Sequence, residues 1–115
     1  MVEIADTRQK MQTGLSKRSS MTENQGMLFE FGSQKKTPAF WMKDMKFNLD
    51  LIWISDGKII GITPNVPAPV GNVKRQIGNL PKFYPPSAVN EILEVNAGWT
   101  RKNNIKIGDA LQVLD

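Results

Sequence analysis

The carboxyl groups of Asp44, Asp50 and Glu94 are the side chains of this sequence that could do chemistry together. Two carboxyl groups held about 5–10 Å apart across a cleft can act as acid and base, or as acid and nucleophile, on a glycosidic bond. Carboxylates can also bind a hard cation such as calcium. The three residues therefore support the hypothesis of a carboxylate-based hydrolase that acts on glycans.

A structural role for two of these acids is the interpretation we favour. Asp50 stands within the apolar run 49–54. A carboxylate in such a run is costly unless it is paired or hydrogen-bonded. We therefore expect Asp50 and Glu94 to form structural ion pairs with Arg18 and Lys43.

The absence of two residue types reduces the number of reactions that this chain could catalyse. The chain has no cysteine and no histidine. A thiolate nucleophile, a Ser-His-Asp triad, an imidazole base and a Cys/His zinc site are therefore excluded. The sequence predicts no cofactor and no metal. A chain without thiols suits reducing and oxidising compartments equally.

Trp41, Met42 and Lys43 place an aromatic ring, a thioether and a cation next to Asp44. A cation beside aromatic rings can hold a sugar, a carboxylate or a phosphate, so Trp41, Lys43 and Asp44 are candidate ligand-binding residues. The competing interpretation has Trp41 packed inward and the Lys43 ammonium reaching solvent along its apolar stem. For Trp41, Met42 and Lys43 we favour this second interpretation, in which Trp41 is packed inward.

Residues 64–87 form a long stretch that contains most of the seven prolines. Long loops without periodic pattern are uncommon in small domains, and are often functional or mobile. Lys74, Arg75 and Tyr84 in this stretch are further candidate ligand-binding residues. Single-strand nucleic-acid binders combine cations and aromatics in this way, but they place more of them, and on strands. We therefore do not expect nucleic-acid binding.

The bulk composition predicts one globular domain. The chain has 115 residues, of which 40% are hydrophobic and 23% charged, with a formal net charge of +4. These values argue against disorder and indicate a single domain over 1–115. No apolar run is long enough to cross a membrane, so we expect no transmembrane segment.

The pattern of apolar residues predicts many short strands. Asp56-Gly57 is a strong signal for a type I′ hairpin turn, because both positions of that turn need positive φ. Gly108 marks a bend, and Asp109 is expected to cap backbone N–H groups beside it. The predicted elements are a strand from residue 2, a helix at about 8–17, strands at 26–31 and 39–42, a hairpin over 49–62, a strand at 88–95, a helical turn within 97–104 and a strand-turn-strand at 105–114. No βαβ rhythm is visible. The predicted fold is mainly β, either an antiparallel, jelly-roll-like β-sandwich or a small closed barrel, with one or two short α-helices.

Three blocks of sequence carry a resemblance to a known family. They are TGLSKRSSMTENQGMLFEF, FWMKDMKFNLDLIWI and VNEILEVNAGWTRKNNIKIGD. They resemble the patterns GLM-x-R followed by EGMLF, then FWMKNT-x-x-PLDIIFI, then VLEVPAGWAEKNGIKVGD, of family 192 of the domains of unknown function. The matching positions to which we assign structural roles are Gly14, Arg18, Gly26, Asp50, Glu94, Gly98, Trp99, Gly108 and Asp109.

The resemblance implies a mainly-β, jelly-roll-like fold and no established enzymatic activity. Members of this bacterial and archaeal family are often preceded by a signal or lipoprotein segment, which implies an extracytoplasmic location. This chain has Asp44-Met45 where the family often has Asn-Thr, and Asn48 where it often has proline. A role that depends on the Asn-Thr amide and hydroxyl is therefore not carried over.

The leading hypothesis is a non-catalytic binding or accessory β-domain of an exported or envelope-associated protein. Its partner would be a small ligand or a protein. The ligand site would lie where Lys43, Asp44 and the 64–87 loop meet, with Trp41 and Tyr84 as walls. The alternatives are the glycan hydrolase and a protein–protein interaction module that uses an edge strand or the basic loop. The sequence leaves the oligomeric state and the ligand open.

Overall fold

A five-stranded mixed sheet is the frame of the molecule. The computed structural model describes residues 2–69 and 80–111. Its elements are β1 (Val2–Ala5), α1 (Arg8–Thr13), β2 (Gly26–Glu30), β3 (Phe40–Trp41), β4 (Leu49–Ser55), β5 (Lys58–Val66), β6 (Lys82–Phe83), β7 (Glu91–Asn96) and α2 (Trp99–Lys102). The strand order is β1-β2-β7-β4-β5, and β3 pairs with β6 in a separate two-stranded sheet. The prediction of a mainly-β fold with one or two short helices is confirmed, since the described residues contain two.

The pairing of β1 with β2 differs from the prediction. These two strands run parallel, whereas the pairs β2–β7, β7–β4 and β4–β5 are antiparallel. The sheet is mixed because α1 carries the chain from β1 back to the start of β2, as a parallel pair requires. The expectation that no βαβ unit occurs is therefore wrong.

The closed barrel is also wrong, because β1 and β5 are the two edges of the sheet and do not pair with each other. The outer edge of β5 is met instead by the segment 108–111. Ile59 N–H donates to the Asp109 carbonyl, and Gly108 N–H donates to the Ile59 carbonyl. The sandwich or jelly roll is not confirmed, since the second sheet consists of two strands of two residues each.

Both faces of the sheet are covered, as the apolar run in β4 predicts. On one side, which we call the α1 face, Phe29, Trp53 and Ile92 form a cluster with residues of α1 and β3. On the other side, the α2 face, Ile52 and Leu93 belong to a second cluster that includes Trp99. A strand buried on both faces can be apolar at successive positions.

The turns follow local chemistry closely. Asp56 and Gly57 have φ of 50° and 77°, so the predicted hairpin turn is confirmed. The sequence predicts that Asn103 or Asn104 ends this helical turn in a left-handed cap, and Asn104 takes that conformation with φ of 58°. The Asp109 carboxylate accepts from the Lys106 N–H at 2.8 Å, also as predicted.

Two predicted elements end earlier or form differently. The helix α1 ends at Thr13, not near residue 17, because Gly14 adopts φ of 47° and ψ of −128°. A side chain there would also stand 3.2 Å from Phe29 Cζ. In the described part of the predicted strand-turn-strand, 105–111, only one isolated bridge forms, between Lys58 and Ala110.

Within the described part of the chain, no helix has the length and apolar character needed to cross a membrane.

Asp50 fastens α2 and the end of β5 to the α2 face. Its carboxylate accepts hydrogen bonds from the backbone N–H groups of Asn65, Gly98 and Thr100, and from the Thr100 hydroxyl at 2.6 Å. Burial acts to raise the pKa of Asp50, but these hydrogen bonds outweigh it and hold the pKa below its ordinary value. The predicted ion pair with Arg18 is wrong, because Arg18 pairs with Glu3.

Replacing Asp50 by alanine should lower the free energy of unfolding by about 3 kcal/mol, because buried backbone N–H groups lose their acceptor. The matched control is Asp109→Ala, which removes an exposed carboxylate with one local backbone bond and should cost less than about 1 kcal/mol. Denaturant unfolding at neutral pH measures both. Equal losses would contradict the anchoring role of Asp50.

The same pair of proteins gives a test against pH. Because the folded pKa of Asp50 lies below the unfolded value of about 4, its contribution is fully present above that pH and is lost as pH falls further. The stability advantage of the wild type over Asp50→Ala should therefore shrink below about pH 4.

Candidate functional site

A pocket of about 500 Å³ opens on the α1 face of the sheet. Its floor comes from the sheet itself, through Phe29 of β2 and Glu94 of β7. One wall is formed by residues 11–16, from α1 and the turn after it, and the other by residues within 39–45, which include β3 and the loop after it. The pocket exists because two short segments cover this part of the face incompletely.

Glu94 is the acid at the floor of the pocket. In the sheet it lies opposite Met27 of β2 and Leu51 of β4, both of them buried. Glu94 itself is 6% exposed. Within residues 2–69 and 80–111, no hydrogen bond or ion pair reaches its carboxyl group. No fully enclosed polar atom among those residues lacks a partner, so the carboxyl group opens into the pocket.

Burial changes the protonation of this carboxyl group. Desolvation raises the pKa of Glu94 from its ordinary 4.5 to about 8. At neutral pH Glu94 is therefore mostly the neutral acid, which can both donate and accept a hydrogen bond. The predicted ion pair between Glu94 and Lys43 is wrong, since the Lys43 ammonium lies over the ring of Trp41, 5.7 Å from its centroid.

The rim of the pocket is aromatic and charged. The prediction that Trp41 packs inward is wrong, because Trp41 is 40% exposed. Its neighbour Phe40 takes the inward position and meets the rings of Phe29 and Trp53 edge to face at centroid distances of 5.3 and 5.9 Å. Successive side chains of a strand point to opposite sides, so one of the two aromatics has to face outward. The exposed ring of Trp41 makes a cation–π contact with the Lys43 ammonium.

Five residues singled out from the sequence line this one pocket: Gly14, Trp41, Lys43, Asp44 and Glu94. Others lie elsewhere. Asp50 is on the α2 face, so the Asp50–Glu94 pair of the hydrolase hypothesis is separated by the sheet. Tyr84 is 61% exposed and is not part of the lining. Lys74 and Arg75 lie outside the described residues.

The aromatic and thioether walls of the pocket were missed by sequence reasoning. Met11, Phe29, Phe40 and Met45 all line it. Each of them looks like an ordinary core residue from the sequence. The sequence could have identified Glu94 as a buried acid, because it lies within the apolar run 92–95 just as Asp50 lies within 49–54.

The remaining family-matching positions serve the frame. A Cβ atom on Gly26 would lie 2.9 Å from the Glu94 carbonyl oxygen, so glycine permits the close approach of β2 to β7. Gly98 has φ of 91° where the chain enters α2, and Trp99 packs on the α2 face. Gly108 has φ of 96° at the predicted bend.

The site offers one buried acid, one cation over an aromatic ring, and apolar walls. No group of three or more acidic side chains suited to a metal ion occurs among residues 2–69 and 80–111. Asp44 also lines the pocket, with φ of 62°. The arrangement can bind a small organic molecule through a buried hydrogen bond or ion pair, with the rest of the molecule against rings and thioethers.

Comparison with known proteins gives relatives without an assigned activity. A family model named DUF192, "Uncharacterized ACR", matches residues 1–113. A crystal structure of a protein provisionally named a transcription regulator, from Sinorhizobium meliloti 1021, is similar with 29% identity and a TM-score of 0.82, covering 96% of this chain and 79% of that one. A protein of unknown function from Novosphingobium aromaticivorans is similar in fold, with 23% identity, a TM-score of 0.83, and 97% and 74% of the two chains covered. No curated protein matches.

Replacing Glu94 by glutamine should flatten the dependence of stability on pH. Between the ordinary pKa of 4.5 and the folded value of about 8, the folded protein keeps a proton that the unfolded chain has released. Stability therefore falls as pH rises through that window. Each pKa unit corresponds to about 1.4 kcal/mol, so the wild type should lose on the order of a few kcal/mol between about pH 5 and about pH 8.

Denaturant unfolding across that pH range measures the effect. Glu23→Gln is the matched control, because it removes an exposed carboxylate that pairs with Lys102 at the surface. It should keep the slope of the wild type. A Glu94→Gln variant with an unchanged slope would show that Glu94 is ionised in the folded protein.

Proposed function

The chain belongs to the DUF192 family, and from its pocket we propose that this domain binds a small organic ligand without changing it chemically. The volume of about 500 Å³ lies within the range of small-molecule sites. The ligand would rest between residues 11–16 and residues 39–45, over the sheet. The proposal keeps Trp41, Lys43 and Asp44 from the sequence-based site and adds Glu94 at its floor.

The observation that carries the proposal is the lone acid of Glu94. A buried polar group without a partner costs free energy, and buried polar groups of native proteins are nearly all hydrogen-bonded. Glu94 is 6% exposed, has no partner among the described residues and opens into a pocket. A ligand that completes its hydrogen bonds would recover that cost. Buried acids with strongly shifted pKa values in a cleft are frequent at functional sites.

Carboxylate-based hydrolysis of a glycan is the second candidate. Asp50 cannot take part with Glu94, but Asp44 lines the same pocket. A buried acid whose pKa is near 8 holds a proton at neutral pH, as a general acid must. Turnover of aryl glycosides that is lost in both Asp44→Asn and Glu94→Gln would favour this candidate over simple binding. Turnover that survives either substitution would refute it.

For the location of the protein, the proposal is an exported or envelope-associated setting. It is supported by the membership in a family whose members are often preceded by a signal or lipoprotein segment. The regulator name of the Sinorhizobium relative finds little support in the described residues of this chain. Their helices are six and four residues long, too short for a recognition helix in a major groove. Fractionation of the native host should place the protein outside the cytoplasm.

A fragment screen by NMR should detect ligands through the indole N–H of Trp41. Trp41 lines the pocket, whereas Trp99 lies on the opposite face of the sheet, so the two signals form an internal control. Fragments that bind the pocket should shift the Trp41 signal and leave the Trp99 signal in place. Hits that shift only Trp99 would move the site to the other face.

Substitutions test the same location. Trp41→Ala should weaken the affinity of the hits about three- to tenfold, as loss of a partly exposed aromatic contact does. Tyr84→Ala is the matched control, since it removes an exposed aromatic outside the lining. Equal losses in Tyr84→Ala and Trp41→Ala would contradict the proposed pocket.

A further inference from the structure

We propose that the ligand of this pocket is an organic cation with an apolar body, whose ammonium group pairs with the Glu94 carboxylate. The inference rests on the proposed function and names the chemical class of its ligand. The geometry that points to it combines the lone buried acid, the charges of the lining and the character of the walls.

The charges of the lining favour a cation. The described lining contains two acids, Glu94 and Asp44, and one cation, Lys43. The Lys43 ammonium stands over the Trp41 ring at the rim, and no ion pair joins it to either acid among the described residues. An anionic ligand would bring a further negative charge next to these two acids. A cationic ligand would instead compensate the buried acid directly.

The walls favour an apolar body next to that cation. The rings of Phe29 and Phe40 and the thioethers of Met11 and Met45 line the pocket beside Glu94. Aromatic faces attract organic cations, and methionine adapts to irregular apolar shapes. A small hydrated metal ion would leave these walls uncovered. An ammonium group that carries an aromatic or aliphatic chain would pair with Glu94 through its charge and cover the apolar walls with its chain.

The neighbours of Glu94 identify it as the titrating group. On the sheet, β2 presents Met27 and β4 presents Leu51 beside it, and β7 places Ile92 and Asn96 two positions away. The lining residues 11–16, from α1 and its turn, carry no ionisable side chain. The segment 39–45 contributes the charged Lys43 and Asp44. Both are exposed, so Glu94 is the buried group whose protonation a ligand would change.

Binding should therefore release a proton. Before a cation binds, Glu94 is mostly the neutral acid at neutral pH. An ammonium ligand pairs with the carboxylate, so the Glu94 proton passes to solvent as the ion pair forms. Affinity for the ammonium should rise from about pH 6 to about pH 8. A neutral ligand that accepts a hydrogen bond from the acid would show the opposite trend.

Three probes of similar shape test the inference: phenethylamine, phenethyl alcohol and phenylpropionate, which are a cation, a neutral molecule and an anion. Isothermal titration in two buffers of different ionisation enthalpy measures affinity and proton release together, and the Trp41 signal reports the site. We expect phenethylamine to bind at least tenfold more tightly than phenethyl alcohol at about pH 7.5. The expected release is about three-quarters of a proton, the protonated fraction of a group whose pKa is about 8.

Two variants complete the experiment. Glu94→Gln should lose the preference for the amine and the proton release, while its affinity for the alcohol stays within about threefold. Glu23→Gln should behave like the wild type, because it removes an exposed acid outside the lining. Circular dichroism and the pH series above establish that Glu94→Gln is folded, and its weaker pH dependence predicts at least equal stability at about pH 7.5.

The outcomes separate the inference from the proposed function. If phenethyl alcohol or phenylpropionate binds at the Trp41 signal as tightly as the amine, the cation inference is overturned and the binding function stands. If no probe binds, the cation inference is overturned. If, in addition, no fragment shifts the Trp41 signal, the proposed binding function fails as well.

Discussion

The antiparallel pairing of β4 with β7 in the middle of the sheet is the constraint on which the rest of the structure depends. Its register sets Asp50 opposite Val95 and Leu51 opposite Glu94. Because side chains alternate between faces along a strand, this register sends the two acids to opposite sides of one sheet. A shift by one residue would exchange the faces of every side chain in the strand. The anchor of α2 and the floor of the pocket thus have one origin.

The two buried acids show opposite ways to place a carboxyl group inside a protein. Asp50 is surrounded by backbone N–H groups and a hydroxyl, so its charged form is favoured and its pKa is lowered. The Glu94 carboxyl group is desolvated, and no hydrogen bond or charge among the described residues stabilises its ionised form. Its neutral form is therefore favoured, and its pKa rises to about 8. The first solution stabilises the fold. The second leaves a group with unused hydrogen-bonding capacity, which is why the α1 face is the side where we place ligand binding.

Features within a few residues of one another were well predicted. The Asp56-Gly57 turn, the left-handed Asn104 and the local bond of Asp109 follow from the chemistry of those residues and their neighbours. Features that depend on distant pairing were not. The parallel partner of β1 is set by where α1 returns the chain, and the partner of Arg18 is Glu3 because β1 brings it there. Nothing in the spacing of either charge specifies that pairing.

The residue types, their local order and the family blocks were enough to establish one mainly-β domain without cysteine or histidine chemistry, with Trp41, Lys43, Asp44 and Glu94 as residues of interest. The packing of the chain decided which of them meet. Phe40 occupies the inward position and leaves Trp41 at the rim, and Glu94 lies under an incomplete cover instead of beside Lys43. Turns and local side-chain caps act over a few residues, whereas burial is a property of the assembled molecule. A carboxyl group therefore has its pKa set only when the layers around it have closed.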